Sequence, residues 1–366
     1  MRVGGVPRDY RYFEDDRELA AALWEADQGG EPALVLGGGS NLLVSDDPFP
    51  GQVFVDSRRG FEAHPESMCA GAILHVAAGT PWDELVAASV DEEWSGLEAL
   101  SGIPGSVGAA PVQNIGAYGR EVAENLYAIR AVDRTTGQVR TLPKAALGLG
   151  YRHSVLKQSL TDPEVGGGRT WGPTGRWVVV EVQLQLQQGG LSAPLRYAEL
   201  ARTLGVEVGQ RAPLRDVRQA VLELRRSKGM VLDPRDHDTW SAGSFFTNPI
   251  LTDEEAAALP GDAPRFPVAC TSMASLATPN KPAPLVPGVV KTSAAWLIDQ
   301  AGFHKGWVPF EGARAGLSTK HVLAIINRGG ATSSDIVEVA RAVRGGVWER
   351  FGVELVPEPV FVGTRL

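Results

Sequence analysis

The interpretation of this sequence depends most on one stretch, Ser101-Gly102-Ile103-Pro104-Gly105-Ser106-Val107-Gly108-Ala109-Ala110-Pro111-Val112-Gln113-Asn114-Ile115-Gly116-Ala117-Tyr118-Gly119. It has five glycines and two prolines in nineteen residues and no Lys, Arg, Asp or Glu. A glycine inside a helix or strand costs roughly 0.5–1 kcal/mol relative to alanine, so a regular element is not expected here. Glycines allow close approach to a ligand and leave backbone N–H groups available for an anion such as pyrophosphate. The stretch therefore predicts a ligand-binding loop, with a buried turn between two elements as the alternative.

A second glycine-rich loop, Gly37-Gly38-Gly39-Ser40-Asn41-Leu42, follows the short predicted strand 33–36. In α/β folds, ligands bind at the carboxyl ends of strands. The loop is not a dinucleotide fingerprint, because no helical pattern follows Asn41 and the G-x-G-x-x-G spacing fails. Alone it indicates a structural turn as readily as a phosphate loop. The stretch 101–119 favours the phosphate loop.

Composition bounds the class of protein. With 43% hydrophobic and 21% charged residues, the 366-residue chain is typical of globular proteins and long enough for two or three domains. Its net charge of −8 argues against nucleic-acid binding. No run approaches the roughly 18 apolar residues of a membrane helix, and the N-terminus lacks an apolar signal core, so we expect a cytoplasmic protein. Cys69 and Cys270 lie far apart without a C-x-x-C pattern, so neither a disulfide nor a metal site is expected.

Periodicity predicts a mixture of helices and strands. The predicted helices are 16–26, 81–90, one around 217–224, 253–259 after a Thr252 cap, one from Thr292 or Ser293 to 301, and one beginning at Thr332. The predicted strands are 33–36, 53–55, 73–77, 126–132, 138–142, 177–186 and 322–326, with a final extended segment at 353–362. The Pro-, Ala- and Ser-rich segment 260–288 is predicted to be a long irregular loop. A change of character near residue 212 predicts a domain boundary there.

Three short stretches carry candidate chemistry. Arg152, in the turn at 150–157, could bind a carboxylate or phosphate through its two-pronged guanidinium, or form a surface salt bridge. Ser244 lies between Gly243 and two phenylalanines; this is not a G-x-S-x-G elbow, so a hydrolase triad is not expected. Ligand binding, proton delivery and a simple turn all remain open for Ser244. Glu358 lies between two prolines without an obvious partner, and it is either buried, with a raised pKa, or exposed on an edge strand.

Together these motifs resemble one family. They are the two glycine-rich loops, Tyr151-Arg152, Gly243-Ser244-Phe245-Phe246-x-Asn248-Pro249, Trp296-Leu297-Ile298-Asp299-Gln300 and Pro357-Glu358. In that order, over nearly the whole chain, they resemble the UDP-N-acetylenolpyruvoylglucosamine reductase (MurB) family, and Arg196-Tyr197 resembles its type I branch.

The resemblance implies an α+β fold. It has a two-domain FAD-binding fold of the vanillyl-alcohol-oxidase (PCMH) type and a C-terminal α+β substrate domain. The implied parts are FAD-binding subdomain 1 at 1–57, to which 359–366 returns, subdomain 2 at 58–211, and the substrate-binding domain at 212–358.

The resemblance also implies an activity: reduction by NADPH, through FAD, of UDP-N-acetylglucosamine enolpyruvate in cell-wall precursor synthesis. Ser244 would be the proton donor, and Arg152 and Glu358 would polarise the enolpyruvyl carboxylate, with Glu358 kept neutral to donate a hydrogen bond. The implied FAD contacts are Gly37, Gly38, Gly39, Ser40, Asn41, Leu42, Gly105, Ser106, Val107, Gly108, Asn114, Gly116, Ala117, Tyr118 and Gly119. The implied substrate contacts are Tyr151, Tyr197, Lys228, Asn248 and Gln300.

The expected partner is a small-molecule UDP-sugar, with no nucleic acid, membrane or obligate protein partner and no metal. Two alternatives stay open. One is an FAD-dependent oxidase of the same fold class, and the other is a non-catalytic nucleotide-binding protein.

Overall fold

The N-terminal part is a small parallel sheet covered by a helix. In this computed structural model, which describes residues 1–67, 71–270 and 283–366, strands β1 (Pro7–Phe13), β4 (Phe49–Asp56) and β2 (Ala33–Val35) form the sheet in that order. Helix α1 (Asp16–Gly29) begins where the Asp15 side chain accepts two backbone N–H groups, and it buries its apolar face on the sheet. The predicted helix and strands here are confirmed.

A larger antiparallel sheet forms the next layer. Its strand order is β11-β10-β12-β6-β5, with a short β7 beside β12. The strands are β5 (Phe61–Ser67), β6 (Gly71–Ala77), β7 (Trp94–Ser95), β10 (Leu126–Asp133), β11 (Gln138–Pro143) and β12 (Trp177–Gln188). Helix α2 (Trp82–Asp91) packs into the same core as the stretch 101–119, so that stretch is backed by a rigid apolar layer.

The C-terminal part has its own core around a long helix. Strands β13 (Ile250–Thr252), β15 (Leu285–Lys291) and β14 (Phe266–Ala269) form one antiparallel sheet, and β16 (Ala315–Leu317) pairs with β17 (Ile325–Asn327). The helices are α6 (Asp253–Ala257), α7 (Ala294–Gln300) and α8 (Ser333–Phe351). Thr252, Ser293 and Thr332 cap them, so the predicted helix starts are confirmed.

The chain end returns to the first glycine-rich loop. Strand β18 (Val360–Val362) pairs in parallel with β3 (Leu42–Val44), which directly follows that loop. The remaining short elements are α3 (Val155–Gln158), α4 (Ala198–Thr203), α5 (Leu214–Ser227), the hairpin β8 (Gly116–Ala117) and β9 (Arg120–Glu121), and 3₁₀ turns at Glu98–Leu100, Val107–Ala109, Val122–Glu124, Lys144–Leu147 and His237–Thr239. Helices α4 and α5 share one apolar cluster, across the boundary predicted at 211/212. The division into domains stays a prediction.

The structure differs from the sequence-based prediction in several places. The segment 260–288 is not one irregular loop, since it contains β14 and the start of β15; residues 271–282, like Cys69, lie outside the described residues. Strands β1 and β5 were not predicted, because β1 is mostly polar and β5 contains a proline. The strand predicted at 322–326 is only 325–327, and within 353–362 only β18 is a strand.

Candidate active site

The two glycine-rich loops pack against each other, backbone on backbone. A Cβ atom at Gly38 would lie 2.7 Å from Gly105 Cα, and one at Gly37 would lie 2.5 Å from Ser106 Oγ. The Ser40 hydroxyl donates to the Pro104 carbonyl at 3.1 Å. Only glycine fits at position 38, because real Cβ atoms do not come this close to a backbone atom, whereas a side chain at position 37 would require the Ser106 hydroxyl to move.

The first loop presents a row of unused donors. Within the described part of the chain, no protein group accepts a hydrogen bond from the backbone N–H of residues 37–41. The second loop is held by backbone hydrogen bonds to residues 78–80. The Val107 N–H donates to Thr80 O at 2.8 Å, and the Gly108 N–H donates to Ala78 O at 2.9 Å. Several free backbone N–H groups in one loop, packed against a second loop that is itself held in place, suit a pyrophosphate, so these residues fit the predicted FAD.

Arg152 and Glu358 meet beside these loops. Arg152 Nε lies 3.1 Å from Glu358 Oε1, with only 19% and 17% of the two side chains exposed. Arg152 Nη2 donates to Gly116 O at 2.8 Å, and Nη1 donates to Asn114 O at 3.4 Å. Arg152 has φ +53°, in a tight turn closed between Gly150 and His153. No local sequence pattern connects Glu358 to a partner, and in the structure Arg152, which the family resemblance pairs with it, supplies the cation.

The backbone of Glu358 is held on both sides. Its carbonyl oxygen accepts from Lys157 Nζ at 3.2 Å, Asn41 Nδ2 at 3.4 Å and Gln113 Nε2 at 3.5 Å. Its N–H donates to Phe245 O at 2.8 Å. Four distant segments of the chain therefore converge on this one residue.

Ser244 lies next to that convergence. It follows Gly243, which has φ +76°, and precedes the fully buried Phe245, whose N–H donates to Leu323 O at 2.8 Å. Ser244 is partly exposed, and its hydroxyl has no hydrogen-bond partner among the described residues. The backbone that follows Ser244 is thus held in place, and the hydroxyl remains available to a ligand.

Tyr151 and Asn248 form the next contact. The Asn248 N–H donates to Tyr151 Oη at 3.2 Å, and Lys291 Nζ lies 4.2 Å from the Tyr151 ring centre. Burial raises the pKa of Tyr151 and lowers the pKa of Lys291. Asn248 Oδ1 also accepts the Ala294 N–H at 2.9 Å, so this side chain is partly committed to α7.

A second group of predicted residues lies around Tyr118. Its ring packs edge-on against Tyr197, with the centroids 5.5 Å apart, and Lys228 Nζ lies 6.0 Å from the Tyr118 ring centre. Burial raises the pKa of Tyr118 to about 12. Lys228 Nζ forms a 2.5 Å ion pair with Glu199. Tyr118, predicted to contact FAD, thus contacts two predicted substrate residues, whereas Gln300 is exposed at the end of α7 and has no hydrogen bond to any of them within the described ranges.

Three other predicted FAD residues, Asn114, Gly116 and Ala117, lie in the structure that positions Arg152. Asn114 is fully buried and donates to Gly150 O at 2.8 Å and Glu121 Oε2 at 2.9 Å. Burial raises the pKa of Glu121 even though Arg152 opposes the shift. The Asn114 side chain is therefore used to hold the turn that carries Arg152. Gly116 and Ala117 form β8, and a Cβ at Gly116 would lie 3.2 Å from Arg152 Nη1.

A cavity of about 920 Å³ opens beside this group, lined in part by Tyr151, Arg152, Lys157 and Asn248. Its volume is within the range of small-molecule sites. Sequence reasoning missed three residues here: Gln113 and Lys157, which lie in stretches it had singled out, and Lys291, for which no local pattern gave a signal.

Two family models match this chain. A model described as "FAD binding domain" matches residues 7–143, and one described as "UDP-N-acetylenolpyruvoylglucosamine reductase, C-terminal domain" matches residues 233–362. The UDP-N-acetylenolpyruvoylglucosamine reductase of Streptomyces coelicolor is 49% identical over 367 residues, covering 100% of this chain and 88% of the relative. That of Thermobifida fusca is 48% identical over 370 residues, covering 100% of this chain and 96% of the relative.

The chain belongs to the UDP-N-acetylenolpyruvoylglucosamine reductase family. The crystal structure of the Thermus caldophilus family member has a TM-score of 0.58 and 24% identity, covers 96% of this chain and 91% of its own, and shows the same fold. The predicted family, the α+β FAD-binding fold and FAD as the cofactor are confirmed, and the protein is an FAD-containing oxidoreductase. No helix in the described ranges is long and apolar enough to cross a membrane. The roles of individual residues stay predictions.

Proposed function

We propose that this protein reduces UDP-N-acetylglucosamine enolpyruvate to UDP-N-acetylmuramate, with NADPH as the reductant, in the synthesis of peptidoglycan precursors. The observation that carries the proposal is the Arg152–Glu358 pair, 3.1 Å apart, in a chain 49% identical to a relative named for this reaction. The pair lies beside the two packed glycine-rich loops, 37–42 and 101–119, which we call the glycine cradle. Within the proposal, the substrate is a small-molecule UDP-sugar and the reaction takes place in the cytoplasm.

The glycine cradle would hold FAD through the N–H groups of residues 37–41. When bound, FAD supplies a carrier that accepts a hydride from NADPH and gives it to the methylene carbon of the enolpyruvyl group. That carbon gains one hydrogen, and the neighbouring carbon, which bears the carboxylate and the ether oxygen, must gain a proton. The residues of this chain have to bind the carboxylate, stabilise the developing negative charge and deliver the proton.

Arg152 stabilises the charge. Its guanidinium is fixed by the Gly116 and Asn114 carbonyls and by Glu358, so it needs no rearrangement as negative charge grows on the substrate carboxylate. Glu358 orients Arg152 and lies close enough to share the carboxylate site.

Ser244 delivers the proton. A serine hydroxyl is a weak acid in water, so this step needs a strongly basic carbanion and a site from which water is excluded. The Ser244 hydroxyl has no acceptor among the described residues, so it can donate to the substrate without breaking a bond within the protein.

Tyr197 and Lys228 bind the nucleotide diphosphate of the substrate. Lys228 is now paired with Glu199, and a diphosphate would compete for the same ammonium group. Tyr151 and Asn248 would contact the sugar-bearing part beside Arg152.

Absorption spectroscopy of the purified protein tests this proposal. We expect a flavin spectrum that NADPH bleaches without oxygen and that UDP-N-acetylglucosamine enolpyruvate then restores, with one UDP-N-acetylmuramate formed per flavin reoxidised. Bleaching followed by recovery only on admission of oxygen would refute the substrate and point to an oxidase. A protein that stays colourless after addition of FAD would refute the redox function and point to a nucleotide-binding module.

A further inference from the structure

Glu358 owes its position to very few backbone groups. Pro357 and Pro359 on either side have no N–H, so the Glu358 N–H is the single backbone donor of the tripeptide. That N–H is bound to Phe245 O, and the Glu358 carbonyl is the acceptor that anchors the other side. Groups that bind this carbonyl therefore determine where the carboxylate points.

Lys157 is the closest of the three donors to that carbonyl, at 3.2 Å, against 3.4 and 3.5 Å for the two amides. It is also the only charged one of the three, and charge-assisted hydrogen bonds are about twice as strong as neutral ones. Burial lowers the pKa of Lys157, while Glu358 opposes that shift. Burying a cation is unfavourable unless the cation is hydrogen-bonded or paired, and the Glu358 carbonyl supplies a hydrogen bond to Lys157.

The segment that carries Lys157 is rigid. Helix α3 begins after Ser154, whose Oγ accepts the Lys157 N–H at 3.1 Å and donates to Val112 O at 2.6 Å. The same turn carries Arg152. The segment 150–157 therefore holds both halves of the ion pair: Arg152 directly, and Glu358 through Lys157.

We propose that Lys157 is a positioning residue for Glu358: its ammonium group binds the Glu358 carbonyl and thereby fixes the carboxylate against Arg152. The proposal rests on the function proposed above. Lys157 acts through Glu358 and need not touch the substrate. Its loss then affects the chemical step more than substrate binding, because misplacement of a reacting group by about 1 Å can cost about 100-fold in rate.

The test uses Lys157→Met, which keeps an unbranched side chain one atom shorter and removes the charge, with Lys157→Arg as the conservative variant. Single-turnover reoxidation of the reduced flavin by UDP-N-acetylglucosamine enolpyruvate is measured in holoenzyme, together with KM, FAD content and thermal unfolding. We expect Lys157→Met to slow reoxidation by about 10–100-fold, with KM changed less than about threefold and FAD content unchanged. Lys157→Arg should recover most of the rate. The control Arg140→Met removes an exposed cation on β11 and should match the wild type.

A double-mutant cycle separates positioning from general damage. In a Glu358→Ala background there is no carboxylate to position, so adding Lys157→Met should cost less than about threefold. A crystal structure of Lys157→Met should show the Arg152 Nε to Glu358 Oε1 distance beyond hydrogen-bonding range. The proposal is overturned if Lys157→Met slows both backgrounds equally, or if the ion pair keeps its 3.1 Å distance in that crystal structure.

Failure of the proposed function would look different. In that case wild-type reduced flavin would not respond to the UDP-sugar at all, whichever residue stands at position 157. The crystallographic distance would still test Lys157 as a positioning residue.

Discussion

Replacing Ser244 by alanine separates the two halves of the proposed reaction. The Ser244 hydroxyl has no protein partner among the described residues, and the buried Phe245 beside it fixes the backbone. The variant should therefore unfold with a free energy within about 0.5 kcal/mol of the wild type. Flavin reduction by NADPH needs no proton from Ser244 and should stay within a factor of about two. Reoxidation by the UDP-sugar needs that proton and should slow by about 10²–10⁴-fold, the usual contribution of a general acid.

Stopped-flow absorbance at the flavin band measures both half-reactions separately. Ser241→Ala is the matched control from the same loop, because Ser241 Oγ accepts the Gly243 N–H at 3.1 Å. It should cost roughly 0.5–1.5 kcal/mol of stability and slow neither half-reaction selectively. If Ser244→Ala slowed both half-reactions by the same factor, Ser244 would be a structural residue and the proton donor would have to be sought elsewhere.

Three further predictions concern the acid pair, the cradle and pH. Glu358→Gln should retain more activity than Glu358→Ala in steady-state assays, because the amide oxygen can still accept from Arg152 Nε. Gly38→Ala should lower the flavin-to-protein absorbance ratio of the purified protein and cost about 1–3 kcal/mol, since its Cβ would lie 2.7 Å from Gly105 Cα. Burial and nearby lysines lower the pKa of His321 from 6.5 to about 4 in the folded protein. Between these two pH values the unfolded chain therefore binds a proton that the folded chain does not bind. The free energy of unfolding should therefore decrease as the pH falls from 6.5 to about 4. Chemical denaturation of His321→Gln should show that this part of the pH dependence is lost.

Each of these three predictions has a control variant or an outcome that would contradict it. Equal loss in the two Glu358 variants would mean that the negative charge itself is needed. Gly29→Ala should leave FAD content unchanged, since a Cβ there meets nothing within 4 Å, and full FAD content in Gly38→Ala would contradict the packing of the two loops. A wild-type profile in His321→Gln would show that the His321 imidazole is not responsible.

The fold class was predictable because its signals are local. Alternation along 177–186 and the spacing and caps of the predicted helices describe segments that bury one face, and the structure forms each of them. Strand β1 was not predictable in the same way, since its polar residues become a strand only through parallel pairing with β4, forty residues away in sequence. Strand β14 and the start of β15 lie within the segment 260–288, whose composition alone indicated a loop.

For the candidate site, too, the sequence determined the residue types and the tertiary structure determined the contacts. The sequence by itself determined which residue types were available: two glycine-rich loops, an arginine in a predicted turn, a serine before two phenylalanines and a glutamate between prolines. Only the tertiary structure decided that Arg152 and Glu358 form an ion pair and that Lys157 binds the Glu358 carbonyl. Local sequence sets backbone preferences over a few residues, whereas a charge acts on whatever lies within a few ångströms, and the packing of the whole chain determines which group that is.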